Sequence, residues 1–246
     1  MIKSRVFVIP YAGGAAATFK HWRGMLDNSV DLHVIELAGH GNNMAVPFYN
    51  DMKEAIEDVY NIIKEKQKDD LPYYILGHCL GAIIAFEVCH TVRGEREFKM
   101  PEHVFISGHG SPDIIINQDP IHDLDDENIV KKLIERGGLD EEMLDEELLE
   151  LYLPSIRSDA KIYELYQCEM NREPLNQKLT ILYGLKDKDT PIENVEKWKE
   201  FTNKEVNIKS FDGGHYFIND SCEEVISELN KVIRKNSRKK RVYLGL

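Results

Sequence analysis

Residues 73–82 read Tyr73-Tyr74-Ile75-Leu76-Gly77-His78-Cys79-Leu80-Gly81-Ala82, and a helix-forming run, Ala82 to Val92, follows directly. An apolar run that ends in Gly-x-Cys-x-Gly and leads into a helix has the strand–turn–helix pattern of a nucleophile elbow. The two glycines allow close backbone packing there, while the central side chain is held at the end of a strand. Serine usually occupies that centre. The pattern therefore predicts a nucleophile at Cys79 and requires a base and an acid elsewhere.

Length and composition describe an ordinary globular chain without nucleic-acid character. The 246 residues suit one α/β domain with an insertion, and 30% are charged while 42% are hydrophobic. The formal net charge of −12 argues against nucleic acid as a partner, because a phosphate-binding face needs clustered lysine and arginine. Apolar stretches are too short to cross a bilayer, so we expect no membrane partner.

The cysteines and histidines give no sign of a metal site. Cys79, Cys89, Cys168 and Cys222 are scattered, without a C-x-x-C pair or the spacing of metal ligands. Four histidines are interpreted as structural or loop residues, namely His40, His78, His103 and His109. No signal peptide precedes Val6 to Ile9, so we expect a cytoplasmic protein with reduced thiols. We expect neither metal nor cofactor, and a monomer is the default.

Short β-rich runs alternate with helical runs through most of the chain. Strands are expected at Arg5 to Pro10, Leu32 to Leu37, around Tyr74, His103 to Ser107, Leu179 to Tyr183 and Val206 to Phe211. Helices are expected around Trp22 and at Asp51 to Lys66, Ala82 to Val92, Val195 to Phe201 and Ser221 to Ile233. This alternation predicts an α/β fold, with a mostly parallel central sheet flanked by helices and an active site at the carboxyl ends of the strands.

The pattern changes between about residues 112 and 174. Strand signals vanish there, and helical runs appear at Asp125 to Arg136, Asp140 to Leu153 and, after Pro154, Ile156 to Cys168. Ordinary crossover helices are one interpretation, but so many helices between two strands exceed one crossover. We therefore expect a helical lid inserted into a single domain, 1–246. The basic tail, 234–246, lacks apolar periodicity and is expected to be a solvated end.

Two further residues complete a candidate triad. Asp187 and His215 lie in glycine-containing turns that follow predicted strands, and the order Cys79, Asp187, His215 is that of α/β-hydrolases. A helix amino terminus and a neighbouring imidazolium both favour thiolate at Cys79. His215 would accept the thiol proton and later return it to the leaving group, and Asp187 would fix the histidine tautomer.

Each assignment has an alternative. Cys79 could be a buried structural cysteine, and His215 a loop histidine. Asp189 competes with Asp187 as the acid that orients the base. For the oxyanion hole we expect the backbone N–H of Leu80 and one from the loop after the first strand, with Ala12 the preferred donor.

With these residues in view, the sequence resembles, nearly end to end, the type II thioesterases of nonribosomal peptide and polyketide assembly lines. The motifs that carry the resemblance are Pro10-Tyr11-Ala12-Gly13-Gly14, Trp22, Gly77-His78-x-x-Gly81-Ala82 with Ala85-Phe86-Glu87, Leu153-Pro154 with Arg157-Ser158-Asp159, Glu173-Pro174-Leu175, Gly184-x-x-Asp187 with Trp198, and Gly213-Gly214-His215-Tyr216-Phe217. The resemblance implies an α/β-hydrolase fold with a small helical lid and a triad of Cys79, Asp187 and His215. The implied substrate is an acyl or aminoacyl group on the phosphopantetheine arm of a carrier protein, removed through a covalent acyl-enzyme.

The sequence departs from that family at two places. Where the family usually carries Pro-Gly-Arg, this chain reads Ala38-Gly39-His40, and the usual nucleophilic serine is Cys79. With cysteine, a thioester substrate gives a thioester intermediate, whose transfer to a second carrier thiol is nearly thermoneutral. An acyltransferase that shuttles acyl or aminoacyl groups between carrier proteins is therefore the alternative function. A serine replaced to trap an acyl-enzyme would give the same residue.

Two further classes of function compete with these. A noncatalytic binder would be expected to lack a triad residue, and none is missing. A generic small-ester hydrolase would need no acidic lid to meet a partner protein. Because carrier proteins are themselves commonly acidic, we expect docking through apolar lid residues, namely Leu144, Leu148, Leu149 and Leu151.

Overall fold

Six strands form one sheet in the part of the chain that the computed structural model describes, residues 2–114, 120–140 and 145–244. The strands are β1 (Ser4–Ile9), β2 (Val30–Val34), β3 (Tyr73–His78), β4 (His103–Ser107), β5 (Leu179–Gly184) and β6 (Val206–Phe211). Their order is β2-β1-β3-β4-β5-β6, and each neighbouring pair is parallel. The predicted α/β-hydrolase class, with its mostly parallel sheet, is confirmed.

Helices cover both faces of this sheet. The α-helices are α1 (Met52–Lys66), α2 (Leu80–Gly94), α3 (Asp126–Glu135), α4 (Glu146–Glu164), α5 (Ile192–Glu196), α6 (Phe217–Asp220) and α7 (Cys222–Leu244). The run around Trp22, expected to be a helix, is a 3-10 helix, Ala16–Gly24. Among the helices in the described ranges, none is both long and apolar enough to cross a membrane.

The side chains of β1 show how the two layers form. Phe7 and Ile9 point to the cluster that contains α1 and α2, whereas Val6 and Val8 point to the cluster that contains Trp22 and α7. All four are fully buried. A parallel strand between two helical layers needs apolar residues on both faces, which explains why β1 is a continuous apolar run rather than an alternating one.

The segment between β4 and β5 leaves the sheet and builds a small core of its own. It contains a 3-10 turn, Ile121–Asp123, followed by α3 and α4. The buried members of this core are Ile121, Ile129, Leu133, Leu153 and Ala160. We call residues 112–174 the insertion.

The break that we expected at Pro154 is wrong, because α4 continues through this residue from Glu146 to Glu164. Proline inside a helix costs about 3 kcal/mol through a lost hydrogen bond and a clash with the preceding turn. Leu153 and Ala160 lie before and after Pro154, and both are buried in the core of the insertion. Burial of one continuous apolar face offsets the local cost.

The carboxyl-terminal helix is also longer than expected. We predicted its end at Ile233, but α7 runs from Cys222 to Leu244. The added stretch is rich in lysine and arginine. The helix propensity of these residues is high and does not depend on burial. Absence of apolar periodicity was therefore no guide to where this helix ends.

The turn between β3 and α2 requires glycine at two positions. A Cβ atom on Gly77 would lie 1.9 Å from the carbonyl oxygen of Gly81, and one on Gly81 would lie 2.2 Å from that of Ile9. Both obstacles are backbone atoms, which cannot move aside as a flexible side chain can. The backbones of β1, β3 and α2 therefore meet at a distance that only glycine permits.

We expect Gly77→Ala to lower the free energy of unfolding by about 3 kcal/mol or more, because the methyl group overlaps a backbone oxygen. The matched control is Gly94→Ala at the end of α2, where an added Cβ meets nothing within 4 Å. That control should stabilise the protein by about 0.5–1 kcal/mol. Urea denaturation measures both changes, and equal midpoints for Gly77→Ala and the parent would contradict the packing described.

Candidate active site

Cys79 occupies a strained backbone position at the carboxyl end of β3. Its φ of 54° and ψ of −114° make it the one non-glycine residue with positive φ in the described part of the chain. A residue in such a region costs about 1–3 kcal/mol and persists where its surroundings require it. The Cys79 N–H donates to the Ser107 carbonyl at 2.8 Å, which joins the turn to β4. The thiol is half-buried at the start of α2.

The turns after β5 and β6 bring an acid and a base together. A Cβ on Gly184 would lie 2.3 Å from the Gly214 carbonyl oxygen, so these two turns pack backbone against backbone. His215 Nδ1 lies 2.9 Å from Asp187 Oδ2, and both side chains are buried. The hydroxyl of Thr190 donates to the same carboxylate, as does the N–H of Asp189 at 2.9 Å. The Asp187 carboxylate therefore has three donors that fix its orientation.

Asp189, the alternative acid, has a different partner. Its Oδ2 lies 3.1 Å from Nε of Arg136, the residue that ends α3 in the insertion. Of the two carboxylates, the structure brings Asp187 against the histidine and Asp189 against the insertion. The turn after β5 thus serves both the base and the contact between sheet and insertion.

The charges at the site determine which groups carry protons. Burial alone would lower the pKa of His215, but the negative charge on Cys79 and the hydrogen bonds with Asp187 and Cys79 raise it to about 10. Burial acts to raise the pKa of Asp187, and the contacts with His215 and Thr190 overcome it, so that pKa is lowered. The favoured state is an ionised Asp187 carboxylate beside a protonated His215 imidazolium.

His78, the neighbour of Cys79, is neutral. Burial and the charge on His215 hold the pKa of His78 well below its usual range. Its Nδ1 lies 2.8 Å from the Ser107 hydroxyl, and its ring is 5.4 Å from that of His215, centroid to centroid. His78 packs against the ring of His215, in agreement with the structural role expected for it.

Asp187, Asp189 and His215 could offer three ligand atoms to a metal ion, since those atoms lie within 4.8 Å of one another. Each of the three side chains, however, already has a protein partner. Asp187 pairs with His215, and Asp189 pairs with Arg136. These contacts account for the clustering without an ion.

The expected oxyanion donors belong to two separate parts of the chain. Leu80 is the first residue of α2, where backbone N–H groups have no acceptor within the helix. Ala12 lines the same cavity as Cys79 and His215. In the loop around Ala12, the N–H of Gly13 donates to Asp159 at 2.8 Å and that of Gly14 to the Tyr11 carbonyl at 2.8 Å.

The cavity at Cys79 has a volume of about 80 Å³ and lies between the strand ends and the insertion. A second cavity, of about 720 Å³, lies beyond His109 and Tyr163, which line both spaces. Tyr163 Oη and His109 Nε2 are 2.7 Å apart, so a hydrogen-bonded pair separates the two cavities.

Several residues at this site had no role in the sequence-based prediction. They are Arg136, Asp159, Tyr163 and Thr190. One available signal was the position of Asp159 between Ile156 and Ala160, which both pack against the core of the insertion. A carboxylate on such an apolar face indicates a buried polar contact. The roles of Arg136 and Thr190 depend on neighbours distant in sequence, for which no local pattern exists.

Comparison with known proteins agrees with this architecture. The family model described as "Thioesterase domain" matches residues 4–233. The chain is 32% identical over 236 residues to the gramicidin S biosynthesis protein GrsT of Aneurinibacillus migulanus, covering 94% of this chain and 90% of that protein. It is 29% identical over 228 residues to thioesterase PikA5 of Streptomyces venezuelae, covering 92% and 79% of the two chains. The crystal structure of ClbQ from the colibactin NRPS/PKS pathway superposes with a TM-score of 0.88 at 27% identity, covering 95% of this chain and 98% of that one. Because the family model spans nearly the whole chain, this protein belongs to the thioesterase domain family.

Proposed function

We propose that the protein hydrolyses acyl or aminoacyl thioesters carried on the phosphopantetheine arm of carrier proteins in nonribosomal peptide or polyketide biosynthesis. The observation that carries this proposal is the approach of Asp187, His215 and Cys79 at the carboxyl ends of the strands, with the thiol at a strained turn. Family membership supports the reaction type, and the biosynthetic role of the gramicidin S relative supports the substrate class.

In the first half of the proposed reaction, Cys79 takes the acyl group. The thiolate sulfur attacks the thioester carbonyl carbon, and the N–H groups of Leu80 and Ala12 stabilise the oxyanion that forms. The bond from carbon to the pantetheine sulfur then breaks. Protonated His215 gives its proton to that leaving sulfur, which departs as a thiol. The product is an acyl-enzyme on Cys79.

The second half depends on a change in the basicity of His215. The charge on Cys79 is the largest cause that raises the pKa of His215 to about 10. An acylated Cys79 is neutral, so that contribution disappears and the pKa of His215 falls, while Asp187 continues to raise it. Neutral His215 can then accept a proton from water as the water oxygen attacks the acyl carbon. The bond from that carbon to the Cys79 sulfur breaks, and the acid is released. The proton on His215 and the thiolate on Cys79 restore the starting state.

Cysteine at the elbow favours one second candidate, transfer of the acyl group between carriers. A thiol from a second pantetheine arm could replace water as the group that His215 deprotonates. The intermediate and the product would both be thioesters, so little free energy would be lost in either step. This route needs an acceptor carrier that competes with water at the same acyl carbon.

We also propose that the insertion acts as the lid, since it walls the cavity at Cys79 with Ile156, Ala160 and Arg136. A carrier protein would meet the outer face of α4. Leu148 and Leu151 are exposed there by 51% and 46%. Leu149, also expected at this surface, packs against the core of the insertion instead, and Leu144 lies outside the described residues.

Intact-mass spectrometry with an aminoacyl-loaded carrier, with and without an unloaded second carrier, tests the reaction itself. We expect free acid to form in both mixtures, and Cys79→Ala to reduce its rate by roughly 10³-fold or more. Cys79→Ser should retain hydrolysis. If the second carrier gains acyl mass faster than free acid appears, the transfer route replaces hydrolysis. Cys79→Ala as active as the parent would exclude the elbow as the source of the nucleophile.

Asp187→Asn should reduce kcat by roughly 10²- to 10⁴-fold, because a neutral amide neither fixes the tautomer of His215 nor stabilises its positive charge. Alkylation of Cys79 by iodoacetamide at pH 7 should slow as well, since a less basic His215 stabilises less thiolate. Asp189→Asn is the matched control in the same turn and should change kcat by less than about tenfold. A larger loss for Asp189→Asn than for Asp187→Asn would reverse the assignment of the acid.

The double variant Leu148→Asp, Leu151→Asp should raise KM for an acyl-carrier substrate about tenfold or more, because charge replaces apolar contact area. It should leave KM for a free acyl-pantetheine thioester unchanged, since neither side chain lines the cavity at Cys79. Ile2→Asp provides the control, because Ile2 is 42% exposed and lies before the amino-terminal end of β1, away from α4. Equal effects on carrier-bound and free substrates would contradict docking at α4.

A further inference from the structure

We propose that His40 and Asp159 form a buried ion pair that positions the proposed oxyanion loop, so that α4 of the insertion sets the geometry for thioester cleavage. Both are positioning residues, because they act through the Gly13 peptide. This inference rests on the proposed function.

One carboxylate oxygen joins three parts of the chain. Oδ2 of Asp159, on α4, accepts the backbone N–H of Gly13 at 2.8 Å and lies 2.9 Å from Nε2 of His40. The side chains of His40 and Asp159 are 1% and 2% exposed. A carboxylate excluded from water in this way needs compensation, which the Gly13 N–H provides by a hydrogen bond and His40 by opposite charge.

The contacts of His40 favour protons on both ring nitrogens. Nδ1 lies 2.9 Å from the carbonyl oxygen of Ala38, which can only accept a hydrogen bond. Nε2 faces the Asp159 carboxylate, which also only accepts when ionised. Burial acts to lower the pKa of His40, but the hydrogen bond and charge of Asp159 overcome it and raise that pKa. These contacts favour the protonated ring, an imidazolium whose charge lies beside the Asp159 carboxylate.

Gly13 is held from a second direction by the same helix. Its φ is +74°, and an added Cβ would lie 2.4 Å from Cγ1 of Ile156, one turn before Asp159 on α4. The N–H that Asp159 accepts belongs to the peptide between Ala12 and Gly13. The contact therefore fixes the backbone orientation next to Ala12, the donor that we assign to the oxyanion.

The sequence at His40 gives this pair its particular chemistry. Arginine at this position would keep its charge at any accessible pH, whereas histidine can lose its charge. The other titratable groups around it are Glu36, whose charge also raises the pKa of His40, and Tyr49, which accepts from the Ala38 N–H and donates to Asp58.

The test separates oxyanion stabilisation from reactivity of the thiol. Acylation of Cys79 by acetyl-pantetheine passes through an oxyanion, whereas alkylation by iodoacetamide does not. Both rates are measured by quenched-flow mass spectrometry on the full chain. We expect Asp159→Ala to slow acylation by roughly 10- to 100-fold, up to the loss seen when an oxyanion donor is removed, and to leave alkylation unchanged.

Asp31→Asn is the matched control for loss of an ion pair. Oδ2 of Asp31 lies 3.1 Å from Nε of Arg5, near the start of β1. This pair is at the amino-terminal ends of the strands, opposite the site. Asp31→Asn should lower thermal stability without altering the ratio of acylation to alkylation. If Asp159→Ala does not fold, His40→Gln provides the same comparison, because glutamine removes the charge from the partner side.

The pH profile gives a further readout that a purely structural role would not move. A histidine with a raised pKa provides its pairing fully below its unfolded value, about 6.5, and loses it as pH rises through the folded value. The ratio of acylation to alkylation should therefore fall with rising pH in the parent. In His40→Arg it should stay flat, because arginine remains charged.

Each outcome has a defined meaning. A ratio unchanged in Asp159→Ala, or equal losses in both rates, overturns the positioning role. An identical pH profile in the parent and His40→Arg overturns the role of the His40 charge. If acetyl-pantetheine acylates the parent but no carrier-bound thioester is turned over, the proposed substrate is wrong while the positioning role stands. If the parent is not acylated at all, both fall.

Discussion

Gly77 and Gly81 allow the backbones of β1, β3 and α2 to meet with no side chain between them, at distances that a single methyl group would prevent. This contact forces Cys79, midway between the two glycines, into a backbone conformation with positive φ. Among the non-glycine residues of the described chain, Cys79 alone adopts it. The strained backbone gives the Cys79 side chain a fixed position. The Cys79 thiol lies at the carboxyl end of β3 and the amino terminus of α2, where it contacts His215 from the turn after β6. His215 in turn pairs with Asp187 from the turn after β5, and Ala12 lines the same cavity as the thiol.

Three of the buried histidines differ in pKa, and in each case the surroundings explain the difference. His78 faces a hydroxyl and another histidine, so burial prevails and it is neutral. His40 lies between a carbonyl and a carboxylate, and its pKa is raised. His215 lies between Cys79 and Asp187, so its pKa depends on whether the sulfur carries charge. A residue whose basicity follows the state of the nucleophile can serve as acid in one half-reaction and base in the other.

The insertion contacts the site through polar pairs as well as apolar walls. Arg136 contacts the turn after β5, Tyr163 the loop after β4, and Asp159 the loop after β1. Each pair joins the insertion to a loop at the carboxyl end of a different strand. The position of the insertion and the geometry of these loops are therefore linked physically. A thioesterase built in this way would tie closure over a substrate to the arrangement of the groups that act on it.

The residue pattern was enough to predict the layers of the fold and to propose the residues of the triad. Buried parallel strands must be continuous apolar runs, and a nucleophile elbow must have glycines two residues before and after its centre, so both features are local and readable. The same local logic failed at Pro154 and Ile233, where burial in one case and charged helix-forming residues in the other extended a helix past its expected end. Position in the turn left Asp189 open beside Asp187, and the family resemblance favoured Asp187. The tertiary structure places Asp187 against His215 and Asp189 against Arg136, since two carboxylates in one turn differ in what lies opposite them. It also decided the pairing of Asp159 with Gly13, 146 residues away in sequence, because a contact of that kind exists only once the insertion has packed against the sheet.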